Sequence, residues 1–142
     1  GEVGRELGQV LGTVLHAGVH RAHDDPVAQR RVPEIERLEQ VFELLGKAPR
    51  GKTCDAILGI IEEGKDIMEE FKGTQALDAG LVSSAQAVEH YEIARYGTLA
   101  TWAKQLGHKE ALNLFLATLE EEKATDEKLS ALAESSVNLK AA

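Results

Sequence analysis

The chain has 142 residues, 43% apolar and 28% charged, which suits one domain, residues 1–142, with a core of its own. Only 4% are aromatic, so Leu, Ile, Val and Ala must fill that core, and this composition favours helices. The formal charge of -8 argues against nucleic acid and anionic membranes as partners. A single cysteine excludes an intramolecular disulfide and fits a reducing compartment, so we expect a cytoplasmic protein.

The first 33 residues differ in composition from the rest of the chain. They contain no lysine but five of the 13 glycines. Apolar residues nevertheless recur at helical spacing, which predicts a helix that the glycines weaken by up to about 1 kcal/mol each. These apolar positions are Val3, Leu7, Val10, Leu11, Val14 and Leu15.

Glycines and prolines predict the boundaries of the helices that follow. Pro33 suits the first position of a helix, and Gly46 stands where a helix ends. Gly107 separates two long apolar stripes, which we expect to form an antiparallel helical hairpin. The predicted helices cover residues 34–45, 53–71, 77–106 and 108–133, and the fold class is all-α.

Two of these helices carry acids on their apolar faces. At roughly 100° per residue, Leu81, Ala85, Leu99 and Ala103 fall within about 20° of Glu92. Glu92 therefore points into the apolar stripe, and Glu89 flanks it one turn earlier.

The next helix repeats the pattern. Glu122 is centred among Ala111, Phe115, Leu129 and Ala133, with Asp126 within about 40° and Thr125 about 60° away. A buried carboxylate must be protonated, paired with a cation or bound to metal. Carboxylates on facing helices are a recurring way to hold two metal ions, whereas salt bridges to Arg95 or the lysines are the alternative. Tyr96 shares the face of Glu92.

Three strings carry a resemblance to a known family: ERLEQVFELLGKAPRGKTCDAI, DAGLVSSAQAVEHYEIARYGTLATWAKQLG and LEEEKATDEKLSALAESSVN. From about Glu36 to the C-terminus, the chain resembles the YciE/YciF family of bacterial ferritin-like proteins. The resemblance implies a ferritin-like four-helix bundle with an additional short helical hairpin, a homodimer, a link to stress responses and a di-iron carboxylate centre. Its inward acids correspond to Glu89, Glu92, Glu122 and Asp126.

Upstream of Glu36 we expect the resemblance to stop. Glu34 stands where the family has a His or Gln before the ERLEQVF string, and Arg30 and Arg31 occupy positions where carboxylates are expected. The upstream stretch either diverges from the family or reflects a reading-frame error in the coding sequence. The expected metal ligands are Glu34, Glu89, Glu92, Glu122 and Asp126, with Tyr96 and Thr125 beside them, and the expected cofactor is two iron ions, with manganese or zinc as alternatives.

The expected function is therefore that of a ferritin-like stress-response protein whose di-metal site oxidises Fe(II) with oxygen or peroxide. Its expected partners are metal ions and a second copy of the chain. The alternative is a non-catalytic helical bundle that serves as a structural or interaction protein and has no functional metal site.

Overall fold

A computed structural model describes the backbone of residues 1–24 and 33–142 and the side chains of residues 1–14 and 33–142. The described backbone contains helices and no strand, which confirms the all-α prediction. None of the described helices is long and apolar enough to cross a bilayer. The positions of Arg30 and Arg31 lie outside the described residues. The elements are α1 (Glu2–Asp24), α2 (Pro33–Leu44), α3 (Asp55–Glu70), α4 (Ala76–Gln105), α5 (Lys109–Leu132), a π-helical turn (Ala133–Val137) and α6 (Asn138–Ala141).

The helix ends follow the punctuation in the sequence. Pro33 begins α2, where its missing N–H costs no hydrogen bond. Gly46 and Gly107 adopt φ angles of 64° and 78°, a left-handed conformation that glycine accepts without a Cβ clash. After α4, the N–H of His108 donates to the carbonyl of Ala103 at 2.9 Å, which closes the helix end and turns the chain into α5.

The chain divides into two compact units, and both draw on the long helices α4 and α5. The first unit comprises Gly1–Cys54 and Ala94–Leu119. It contains an apolar cluster drawn from α1, α2, α4 and α5, in which the Tyr96 and Phe115 rings lie 6.3 Å apart. The predicted N-terminal helix is confirmed by α1, and Leu7, Leu11 and Val14 of its apolar stripe are buried in this cluster, whereas Val3 is 37% exposed. The clustered residues are Leu7, Leu11, Val14, Leu38, Val41, Phe42, Tyr96, Leu99, Ala100, Ala103, Ala111 and Phe115.

The second unit comprises Asp55–Ile93 and Glu120–Ala142. Half of its six buried residues are acids: it buries Ile57, Ala133 and Val137 together with Glu89, Glu92 and Glu122. Apolar packing is correspondingly thin in this unit.

The helix α3 approaches α4 closely at a glycine. A Cβ added to Gly80 would lie 2.5 Å from Cγ2 of Ile67, so only glycine fits this position without a shift. Leu81 follows it and is 36% exposed, so the apolar stripe of α4 reaches the surface at this end of the helix. The buried apolar residues of α4 begin at Tyr96 and belong to the apolar cluster of the first unit, whereas the buried residues of α4 before Tyr96 are Glu89 and Glu92.

Candidate metal centre

Three buried glutamates, one each from α2, α4 and α5, form the candidate centre. Glu34 and Glu122 are 3% and 7% exposed, and Glu92 is fully buried. Each offers a carboxylate oxygen, and these three oxygens lie within 4.8 Å of one another. Helical periodicity buries them, because each acid occupies a position of its amphipathic helix that belongs to the apolar side. The group can therefore hold a metal ion.

The spacing of the oxygens suits a small divalent cation. At the largest separation of 4.8 Å, each oxygen would lie about 2.8 Å from the centre of the triangle, slightly outside the range of metal–oxygen bonds. Small side-chain rotations close that difference. Two ionised carboxylates 4.8 Å apart repel each other by about 3.5 kcal/mol at an effective dielectric constant of about 20. A cation among these oxygens would reverse the sign of that energy, so the donor set fits a metal ion.

Tyr96 orients one member of the group. Its hydroxyl donates a buried hydrogen bond of 2.7 Å to Oε1 of Glu34. A hydrogen bond to a charged acceptor is stronger than one between neutral groups, and it restricts the rotation of the carboxylate. The wheel placed Tyr96 on the face of Glu92, but it could not show that Glu34, 62 positions away, is the acceptor.

The other residues predicted for the site are not members of the three-oxygen group. Glu89 is 8% exposed and lies one helical turn before Glu92. Asp126 is partly exposed, and its Oδ1 lies 3.0 Å from Nε2 of His90. Thr125 is exposed, and its hydroxyl donates to the backbone carbonyl of Glu121 at 3.0 Å. The three-oxygen group thus contains three of the five predicted ligands, Glu34, Glu92 and Glu122.

Three further polar contacts between helices were missed by the sequence analysis. Nη1 of Arg37 on α2 donates to the hydroxyl of Thr118 on α5 at 3.2 Å. Nε2 of Gln86 on α4 donates to Oγ of Ser130 on α5 at 2.9 Å and to Oδ1 of Asp126 at 3.4 Å. The i, i+4 spacing of Asp126 and Ser130 indicates that they share a face of α5. The sequence of one helix does not indicate which residues of another helix contact that face.

Comparison with known proteins places the chain among bacterial proteins of similar size. A family model described as "Domain of unknown function (DUF892)" matches residues 29–142. Protein YciF of Escherichia coli K12 is 46% identical over 133 residues, which cover 92% of this chain and 74% of that protein.

Two solved structures are also similar. YcfI from Rhodopseudomonas palustris superposes with a TM-score of 0.81 at 37% identity, covering 90% of this chain and 92% of that one. The structure of the E. coli stress protein YciF gives a TM-score of 0.71 at 40% identity, covering 96% of this chain and 88% of that one.

These matches correct the expected extent of the resemblance. Residues 36–142 make up only about three quarters of the 142 residues, whereas the alignment with E. coli YciF spans 92% of the chain. The similarity therefore extends upstream of Glu36, into the stretch with atypical composition. The first part of that stretch forms α1 and contributes Leu7, Leu11 and Val14 to the apolar cluster.

Proposed function

Since the chain belongs to the DUF892 family, and that description names no activity, we propose that it is a ferritin-like stress-response protein that oxidises Fe(II) with oxygen or peroxide. The observation that carries this proposal is the group of three buried glutamate oxygens within 4.8 Å. The description of E. coli YciF as a stress protein supports the physiological role.

We assign the ligands according to burial. Glu34, Glu92 and Glu122 hold the first ion, and Glu89 extends the site toward a second ion along α4. Asp126 is partly exposed and already contacts His90, so its contact with metal is transient. Carboxylate oxygens are hard ligands, which favours iron or manganese over softer metals, with zinc less suited to this donor set.

The bound iron would supply the electrons that reduce oxygen or peroxide. The side chains around it exclude water, because Glu34, Glu89, Glu92 and Glu122 are each at most 8% exposed. Tyr96 keeps the Glu34 carboxylate in one orientation through its hydrogen bond. The protein thereby contributes a dry, negatively charged and rigidly held oxygen donor set.

We extend the proposal to a homodimer in the cytoplasm. Leu132 and Leu139 are 46% and 71% exposed, and apolar side chains at the surface favour association with a second copy. Sedimentation velocity at micromolar concentration tests this extension, and a single monomeric species would contradict it.

Metal content and Fe(II) oxidation test the main proposal together. We expect protein purified without chelator to contain up to two equivalents of iron or manganese by plasma mass spectrometry, and apo protein to accelerate aerobic Fe(II) oxidation. Glu92→Gln keeps the side-chain volume but removes the charged oxygen donor, so it should lose both properties. Glu120→Gln, on the exposed side of α5, is the matched control and should keep both.

A structural or interaction protein without a functional metal site is the second candidate. It is favoured by Asp126, whose carboxylate accepts contacts from His90 and Gln86 within the protein, as in an ordinary contact between helices. Under that function the parent would contain no metal after chelator-free purification, and Glu92→Gln would behave like the parent in Fe(II) oxidation.

A further inference from the structure

Two polar pairs face each other across α4 and α5. Gln86 and His90 are four positions apart on α4, and Asp126 and Ser130 are four positions apart on α5, so each pair shares one side of its helix. Nε2 of His90 lies 3.0 Å from Oδ1 of Asp126, and Nε2 of Gln86 lies 2.9 Å from Oγ of Ser130. The four side chains therefore form one cluster, which we call the outer cluster.

The outer cluster is the accessible end of a series of side chains that leads inward. The His90 and Asp126 side chains are 67% and 21% exposed. Glu122 lies one helical turn from Asp126, about 6 Å along α5, and is 7% exposed. Glu89 precedes His90 in the sequence and is 8% exposed. Fully buried Glu92 ends the series. Carboxylates thus continue from the surface into the interior at steps of about one helical turn.

We propose that His90 and Asp126 form an outer divalent-cation site through which the buried glutamates receive their metal. This inference rests on the proposed metal centre and adds the route by which it fills. The cation is held first by one imidazole nitrogen and one carboxylate oxygen. It then moves to Glu122 and Glu92.

The geometry of the pair suits this role. Two ligand atoms at right angles, each about 2.1 Å from an octahedral cation, are about 3.0 Å apart. The distance from Nε2 of His90 to Oδ1 of Asp126 is 3.0 Å, so a cation can replace the hydrogen bond between them with little movement of either helix. Rotation of the Gln86 amide would add its oxygen as a third donor. A site with so few protein donors binds the cation weakly and releases it quickly, and both properties are required for passing the ion to the buried glutamates.

Loading kinetics of the apo protein test the proposal. Co²⁺ is mixed with apo protein in a stopped-flow instrument, and a metallochromic dye reports the free ion. We expect Asp126→Asn and His90→Ala to load about tenfold more slowly than the parent, because the negative charge and the imidazole no longer concentrate the cation at the entrance. The stoichiometry and the equilibrium affinity should change less than twofold, because the entrance affects uptake and release equally.

His108→Ala is the matched control. His108 is also partly exposed, but it lies at the turn between α4 and α5, where the outer cluster has no member. The control variant should load at the parent rate. Thermal melts of all three variants in chelator identify any loss of rate that comes from partial unfolding.

A second measurement observes the outer site directly. In the Glu92→Leu variant, which lacks the central buried ligand, the ring resonances of His90 should still shift when Zn²⁺ is added, and Asp126→Asn in that background should reduce the shift. Unmoved His90 resonances would overturn the proposal.

The possible failures are distinguishable. If the parent takes up no Co²⁺, the metal centre and the route both fail. If the parent loads and both variants load at its rate, the route fails while the proposed function stands. If Asp126→Asn lowers the stoichiometry or the affinity at equilibrium, Asp126 is a permanent ligand and the relay is also overturned.

Discussion

Replacement of Glu92 by leucine separates metal binding from structural pairing. Glu92 is fully buried and has an oxygen within 4.8 Å of an oxygen of Glu122. Leucine of similar size would contribute about 2 kcal/mol of apolar burial and would remove the repulsion between two ionised carboxylates, which is at least about 3.5 kcal/mol at separations within 4.8 Å. Replacement of buried charge by packing is typically neutral or stabilising by about 1–4 kcal/mol. At about 3 °C per kcal/mol, we expect Glu92→Leu in chelator to melt between the parent temperature and about 12 °C above it.

Metal should act on the parent and the variant in opposite ways. An ion at 100 times its dissociation constant stabilises a folded protein by about 2.7 kcal/mol, or about 8 °C for a chain of this length. Differential scanning calorimetry with and without Mn²⁺ should show that gain in the parent and none in Glu92→Leu. The control is Glu120→Leu, an exposed replacement on α5, which should change stability by less than about 0.5 kcal/mol and keep the response to Mn²⁺.

A different result would refute the reasoning. If Glu92 serves as half of a structural ion pair, its loss leaves a cation buried and costs about 3–5 kcal/mol. A variant that melts about 10 °C or more below the parent in chelator, together with a parent that does not respond to Mn²⁺, would identify that role.

Four further substitutions test individual contacts. Tyr96→Phe removes the hydrogen bond to Glu34 and should weaken Mn²⁺ binding about 10- to 100-fold by isothermal titration, whereas an unchanged affinity would show that the bond does not orient the ligand. Gly80→Ala places a Cβ 2.5 Å from a methyl group of α3 and should cost about 1–2 kcal/mol in urea unfolding. A Cβ added at Gly97 would have no neighbouring atom within 4 Å, so Gly97→Ala should instead stabilise the protein by about 0.5–1 kcal/mol. Equal changes in stability for the two glycine variants would contradict the packing argument. Phe115→Ala should cost about 3–5 kcal/mol, and a loss below 1 kcal/mol would place it outside the core.

Sequence reasoning was strongest for features that one helix determines alone. The 3.6-residue period predicted that Glu89, Glu92 and Glu122 point inward, and each is at most 8% exposed. Pro33 and Gly107 marked helix boundaries because their backbone preferences act locally.

Features that depend on two helices were beyond that reasoning. The contact between Tyr96 and Glu34 joins residues 62 positions apart, and a helical wheel contains no information on which helix faces which. Leu81 shows the same limit, because its position in the apolar stripe was correct while its burial depends on what packs against it. His90 is exposed, and its contact with Asp126 became visible only in the structure.

The uneven distribution of apolar residues along α4 has a consequence for hydrogen exchange. One continuous helix supplies residues 94–105 to the unit with the apolar cluster and residues 76–93 to the unit in which half of the buried residues are acids. Opening the first segment exposes apolar surface to water, whereas opening the second hydrates carboxylates, which is favourable. Amide hydrogens of residues 76–93 should therefore exchange through local opening of the helix, whereas those of residues 94–105 should exchange only through global unfolding. A bound cation would remove this difference within a single helix.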